Sequence, residues 1–231
     1  MSMALLQLLL FLTLRAHDAS RQCVVVTTPD WSSTRGTLQR YVHRAGHWQP
    51  VGPSWPVALG RNGMAASADL VTSGSVPHKR EGDGCSPAGL FRLVCLFGWG
   101  TEVADLPAGR LPLLRVLPSS RCVDDAASKH YNRIVDGNRV RDFSSAEKMQ
   151  IPEYRLGVVV DYNLTHPHAG DGSCIFMHIW DGPDSTTSGC TAMSLDNMRT
   201  LARWLRPEDH PLLIEMPLPL YEAHRAEHHW P

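Results

Sequence analysis

Cys174-Ile175-Phe176-Met177-His178-Ile179-Trp180 is an apolar and aromatic run interrupted by one imidazole. Gly172-Ser173 break the chain before it, and a turn-rich loop carrying Asp181 and Asp184 follows. A run this short, bounded by turn formers, reads as a buried strand. Leu156-Gly157-Val158-Val159-Val160-Asp161-Tyr162 has the same character, and its β-branched residues favour a pleated backbone. The two runs are expected to be neighbours in the core.

Outward from this pair, short strand signals recur. Residues 23–28 (Cys-Val-Val-Val-Thr-Thr) form a first strand, and residues 36–44 alternate apolar and polar as a second. Residues 48–52 and 55–60 read as two separate short elements, residues 87–94 resume a strand, and Leu212-Leu213-Ile214-Glu215-Met216 is the last one. One helix is expected where Leu195, Met198, Leu201, Ala202 and Leu205 recur at helical spacing, with Ser194 as N-cap and Pro207 as the stop. Residues 144–149 suggest a second, short helix. Residues 61–84 read as loop, residues 98–118 as irregular, and the polar residues 119–150 as a functional surface or lid or, equally, as poorly ordered chain. The fold class that follows is mainly β, a sandwich or partly closed barrel with few short helices.

The chain has 231 residues, 43% hydrophobic and 19% charged, with 18 Gly and 17 Pro. That composition suits a single globular domain with many turns. A net charge of −1 gives no footprint for nucleic acid or anionic lipid. The mostly apolar run from Ala4 to Leu14 is too short to span a bilayer and fits the core of a signal peptide, followed by small residues at Ala16, Ala19 and Ser20. The expected organisation is a leader over residues 1–20, one domain over 21–222 and a polar, frayed tail over 223–231. The expected location is periplasmic or secreted, as a monomer that no membrane holds once the leader is removed. Six cysteines, at 23, 85, 95, 122, 174 and 190, suit an oxidising compartment. Their connectivity is not readable from spacing; Cys95 with Cys122 is one pairing to test.

The chemistry concentrates at Cys190, in Thr187-Ser188-Gly189-Cys190-Thr191, twelve residues beyond His178. A thiolate is the reactive form of cysteine, and a neighbouring imidazole generates it near neutral pH. A buried cysteine is more often simple packing, and a lone core histidine is more often structural. Zinc is the rival use of these residue types. Cys174 and His178 are four apart, which on a strand separates them by about 13 Å, too far for one ion. His166, His168 and the histidines of the tail have no matched carboxylate or cysteine set in this reading. No metal or cofactor is therefore expected.

Two motifs point further. Thr187-Ser188-Gly189-Cys190 after His178, and Gly82-Asp83-Gly84-Cys85-Ser86-Pro87-Ala88-Gly89-Leu90-Phe91 upstream, resemble the His…Ser/Thr-x-Gly-Cys and Gly-Asp-Gly-x-Thr-Pro-x-Gly-x-Phe elements of the L,D-transpeptidase catalytic domain family, also called YkuD-type. With Cys122-Val123-Asp124-Asp125 and Lys129-His130-Tyr131-Asn132, the chain is similar to bacterial members that consist of little beyond this domain. The resemblance covers roughly residues 23 to 220. Thr191-Ala192 stands where the family usually carries an apolar residue and Arg.

The resemblance implies an acyl-transfer chemistry. Cys190 would be the nucleophile and His178 its base, with a backbone carbonyl as the third member. Gly189, Thr191, Ser188 and Thr187 would support the oxyanion, and Tyr131, Asn132 and Asp83 are candidate substrate contacts, although a Tyr-Asn pair in a polar loop is more often a turn with a packed ring and Asp83 suits a turn cap as well. The implied partners are peptidoglycan stem peptides, joined by 3→3 cross-linking through a thioester, and carbapenems would acylate the same thiol. A non-catalytic wall-binding module on the same scaffold and a cysteine hydrolase of wall peptides stand as alternatives.

Overall fold

The computed structural model describes residues 20–70 and 75–231. The expected leader lies, except for Ser20, outside the described residues. In chain order the elements are β1 (Gln22–Thr28), β2 (Arg35–Arg44), β3 (His47–Ala58), β4 (Met64–Ala66), β5 (Ser86–Gly98), α1 (Thr101–Ala104), β6 (Leu113–Arg115), β7 (Ser120–Val123), β8 (Ile134–Asp136), β9 (Ala146–Lys148), β10 (Leu156–Val160), β11 (Phe176–Ile179), β12 (Thr191–Met193), α2 (Leu195–Trp204), β13 (Leu212–Pro217) and α3 (Leu218–Arg225).

Eight strands close on themselves in the order β10-β11-β12-β3-β2-β1-β13-β5, and β5 pairs back onto β10. The mainly β expectation holds, with a closed barrel as its form; β4 and β6 add to β5 at its margins. The two decisive runs are antiparallel neighbours, with Gly157 opposite His178 and Val159 opposite Phe176. A bulge lies at Val159/Val160, where the partner steps from Cys95 to Leu93 and leaves Val94 out of the ladder and exposed.

Side chains of a strand alternate between faces, and this alternation separates three apolar clusters. One gathers Val24 and Val26 of β1, Leu38 of β2, Val57 of β3, Leu93 of β5, Val158 of β10, Met177 of β11, Met193 of β12 and Leu213 of β13. A cluster drawn from all eight barrel strands is the barrel interior. Met198, Leu201, Ala202 and Leu205 of α2 join it. The helix starts where Ser194 accepts a hydrogen bond from the Asn197 N–H, as the sequence indicates, and it ends at Trp204, before Pro207 opens a 3-10 turn. A second cluster, with Phe97, Tyr154, Phe176, Cys122, Cys174 and Cys190, packs between the outer face of β10 and β11 and a small sheet ordered β8-β7-β9. A third, with Cys23, Val25, Ile214 and Met216, lies on the opposite wall beneath Tyr221 and Trp230.

Several local expectations are corrected. Residues 144–149 form no helix: Ala146–Lys148 is strand β9, held in register by Arg121↔Lys148 and Val123↔Ala146. Residues 48–52 and 55–60 belong largely to one strand, β3. Cys122 pairs with Cys174, not Cys95, which is a free thiol. The tail does not fray: α3 runs through residues 218–225, Trp230 stacks on Tyr221 at 6.3 Å, and the Trp48 indole N–H donates to the His229 carbonyl at 3.1 Å.

Candidate active site

Cys190 and His178 are brought together by strand register. β11 and β12 run parallel, with Met177 beside Thr191 and His178 beside Ala192. One step back from Thr191 sets Cys190 beside Phe176, and the Phe176 N–H donates to Cys190 Sγ at 3.3 Å. By alternation Phe176, His178, Cys190 and Ala192 share one face. The nucleophile candidate and the imidazole are therefore diagonal neighbours, their Cα atoms roughly 7–8 Å apart. Both are only 7% exposed, and both line a cleft of about 420 Å³.

The His178 Nδ1 lies 2.8 Å from the Ile179 carbonyl oxygen. A carbonyl only accepts, so Nδ1 carries the proton and Nε2 is left as the free base. Burial lowers the His178 pKa below its ordinary 6.5 and keeps the ring neutral at neutral pH, with the Ile179 bond opposing that shift. The ring is fixed edge-on against Tyr154, 5.1 Å between centroids, and Tyr154 packs in turn on Phe97 and Phe176. The Cys190 thiol is pushed well above its ordinary value, first by burial and then by the nearby Glu147 carboxylate. In the resting geometry it donates to the Cys174 carbonyl at 3.4 Å, not to His178.

The turn before Cys190 is built by the residues in its motif. Gly189 has φ +147°, a conformation side chains rarely adopt, and a Cβ there would sit 2.9 Å from the Cys85 carbonyl oxygen. Thr187 Oγ1 accepts from the Gly189 N–H at 3.1 Å and donates to the Cys190 carbonyl at 2.6 Å. The Gly189 N–H is thereby occupied. Ser86, from the upstream motif, also donates to the Cys190 carbonyl, at 3.2 Å, and accepts from the Gly60 N–H at 3.0 Å. The two motifs, about a hundred residues apart, thus meet at the Cys190 carbonyl.

The remaining candidates fall elsewhere. Thr191 points to the other face, where its hydroxyl donates to Glu215 Oε2 at 2.5 Å. Ser188 lines the cleft and accepts from Arg61 Nη1 at 3.0 Å. Tyr131, Asn132 and Asp83 are not among the cleft-lining residues, and their polar atoms are engaged. Tyr131 donates to Glu81 Oε2 and accepts from the Gly172 N–H. Asn132, at φ +59°, bonds the Tyr162 and Asn163 carbonyls and the Cys174 N–H. Asp83 caps the Arg80 and Cys85 N–H groups and pairs with Lys79 at 2.7 Å. These bonds give all three a part in holding the local turns. Cys174, being disulfide-bonded, is also removed as a zinc ligand.

Four residues of the site carry no signal in the linear motifs around Cys190. Tyr154, from the 3-10 turn before β10, donates to Glu147 Oε2 at 3.0 Å and lines the cleft beside Cys190. Glu147, on β9, has its pKa raised to about 7, chiefly by burial. Arg61 and Lys79 bring positive charge to the cleft.

The L,D-transpeptidase catalytic domain family matches residues 37–214. The chain belongs to the L,D-transpeptidase catalytic domain family. No curated protein and no solved structure matches it. Membership accounts for the barrel and for the order of the His178 and Cys190 elements along it.

Proposed function

We propose that the protein is a cysteine-dependent L,D-transpeptidase acting on peptidoglycan stem peptides, with Cys190 as nucleophile and His178 as base. The observation that carries this reading is the pairing of the two on one face of adjacent parallel strands, in one cleft, with the His178 tautomer set by the Ile179 carbonyl. In the first step Cys190 Sγ turns from the Cys174 carbonyl toward Nε2, which takes the thiol proton. The thiolate attacks the amide carbonyl carbon, and a C–S bond forms as the oxygen becomes an oxyanion. The intermediate collapses, the C–N bond breaks, and the imidazolium returns its proton to the departing amine. The amine of a second stem then attacks the thioester carbonyl. His178 accepts its proton, the new amide forms as the C–S bond breaks, and the imidazolium returns a proton to the departing sulfur, which restores the Cys190 thiol.

The cleft charges support a substrate bearing both signs. Arg61 pairs with no carboxylate among the described residues and faces the cleft beside Ser188, while Glu81, Asp124, Glu147 and Glu153 line other parts of it. Arg61 is assigned to a substrate carboxylate and the acidic wall to the acceptor amine. The Cys122–Cys174 disulfide and the apolar run of residues 4–14 support action outside the cytoplasm.

The resting thiol, bonded away from His178, is what favours the second reading, a wall-binding module without turnover. Intact-mass measurement after exposure to a carbapenem separates the two. A single covalent adduct in the wild type, lost in Cys190→Ala, supports the nucleophile. An unmodified wild-type mass under those conditions overturns it. Product analysis with a tetrapeptide stem and an added amine then distinguishes transfer from hydrolysis.

A further inference from the structure

The wall of the barrel opposite the cleft carries a separate cluster of ligand-type side chains. α3 does not end its helical course cleanly at Arg225: the His228 N–H donates to the His224 carbonyl at 3.1 Å, adding a turn. Residues three and four apart share a helix face. His224, Glu227 and His228 accordingly converge, each offering one ligand atom, and the three atoms lie within 4.8 Å of one another. Glu227 is the carboxylate that the linear reading of the tail histidines lacks, because its role shows only once the turn is helical.

The cluster is held from both sides. His224 and His228 stack at 5.7 Å, and Trp230 stacks on His228 at 5.0 Å. Trp230 also lies on Tyr221, which is buried against the outer face of β1 and β13. The His229 backbone is tied to the Trp48 indole of β3. Around the barrel β1 stands across from β11, so this turn and the cleft occupy opposite walls. None of the three residues lines the cleft.

We propose that His224, Glu227 and His228 form a binding site for one borderline divalent transition-metal ion, of the zinc, nickel or copper class. Two imidazoles and one carboxylate are a donor set such ions accept, with water completing the shell. Ligands at about 2.0–2.2 Å from a tetrahedral ion are roughly 3.4 Å apart, so closing the present spacing needs only small side-chain rotations. All three side chains reach solvent, so no buried charge is stranded when the ion leaves. The bound ion bridges α3 to the turn that follows and fastens the end of the chain to the barrel. This assignment is independent of the proposed enzymatic reading.

The test uses tag-free full-length protein, since a histidine tag would compete, in a Cys190→Ala background so that the cleft thiol takes no metal. Zn2+ and Ni2+ are titrated by calorimetry at pH 7.5, with thermal unfolding followed in parallel. The expected result is one ion per chain at micromolar affinity and a Tm raised by several degrees. His224→Ala with His228→Ala should weaken binding at least ~100-fold, and Glu227→Gln several-fold, with the circular dichroism unchanged. His166→Ala with His168→Ala should leave it intact. Absence of binding below millimolar concentrations, or binding lost only with His166 and His168, overturns the proposal. Were the double variant to misfold, the Glu227→Gln arm and the His166/His168 control decide by themselves.

Discussion

Removing the Cys122–Cys174 bridge should lower stability by an amount that its position lets one calculate. The bridge joins β7 of the small sheet to the segment entering β11 across a sequence separation of 52. Closing a loop of that length removes chain entropy from the unfolded state worth about 4 kcal/mol at 25 °C. For a domain of this size each kcal/mol moves Tm by roughly 2–4 °C, so the bridge corresponds to about 8–16 °C. Non-covalent ties across the same junction survive its loss, because Asn132 still accepts from the Cys174 N–H and donates to the Tyr162 and Asn163 carbonyls. The small sheet should therefore stay docked in the folded state, and the loss should appear as a lower Tm without a change in far-UV spectrum. The assay is calorimetric unfolding of the wild type and of Cys122→Ala/Cys174→Ala, each with and without a phosphine reductant. Reductant should lower the wild-type Tm toward that of the variant and leave the variant where it is. A double variant within 2 °C of wild type, or one that reductant destabilises as much as wild type, would show that the bridge contributes no such stability.

Three further outcomes follow from the site and core. His178 has a depressed pKa, so acylation of Cys190 should persist at pH 6.5 and fall on an acid limb below it, while His178→Ala should lose at least ~100-fold in rate at pH 7; stopped-flow carbapenem inactivation against pH reads both. Glu147 raises the Cys190 pKa, so Glu147→Gln should speed iodoacetamide alkylation of Cys190 several-fold, most clearly above about pH 7, where the native carboxylate ionises; an equal or slower rate at pH 8 would show that it acts otherwise. Glu215 is buried and raised from 4.5 to about 8, so the folded state holds its proton more tightly than the unfolded chain. Its contribution is unpenalised below about pH 4.5 and costs a few kcal/mol progressively as pH climbs to 8. Glu215→Gln should flatten that decline in denaturant midpoint, and an unchanged slope would count against a protonated Glu215 in the core.

The barrel strands were legible where burial on one face imposed a pattern. Residues 22–28, 156–160 and 212–217 carry β-branched or long aliphatic residues in short runs, and each forms the strand expected of it. β3 misleads because Pro50, Pro53 and Pro56 interrupt it. A proline lacks the N–H that a central ladder requires, but β3 meets β12 only at Ala58↔Ala192, so most of its outer side is an edge where no donor is missed. β9 misleads in the opposite sense. Ser144-Ser145-Ala146-Glu147-Lys148-Met149 has the composition of a helix start, and the pairing with Arg121 and Cys122 that makes it a strand is non-local. The disulfide has the same origin, since no local feature of Cys122 marks Cys174 as its partner. At the site, Cys190 and His178 were readable because their motifs are contiguous. Tyr154, Glu147 and Arg61 come from three other elements, and only the closed barrel assembles them.

Strand parity also places the two residues that follow Cys190. Positions 190 and 192 face the cleft, and position 191 faces the barrel interior. Thr191, where the family usually carries an apolar residue, finds its partner there in Glu215, whose neighbour Leu213 marks the same inward face of β13. A carboxyl raised to about 8 is neutral at pH 7, so the pair forms a hydrogen bond within the apolar interior without burying a net charge. Ala192, in the place where the resemblance leads one to expect an arginine, lines the cleft with Arg61 and Lys79. Arg61 enters from the loop after β3 and reaches Ser188, two residues before Cys190. Gly60 lets that loop lie against the upstream motif, since a Cβ there would stand 2.4 Å from the Gly84 carbonyl oxygen. Thr191 and Ser188, on either side of Cys190, are thus each bonded by a residue distant in sequence, Glu215 and Arg61, that the folded barrel brings alongside.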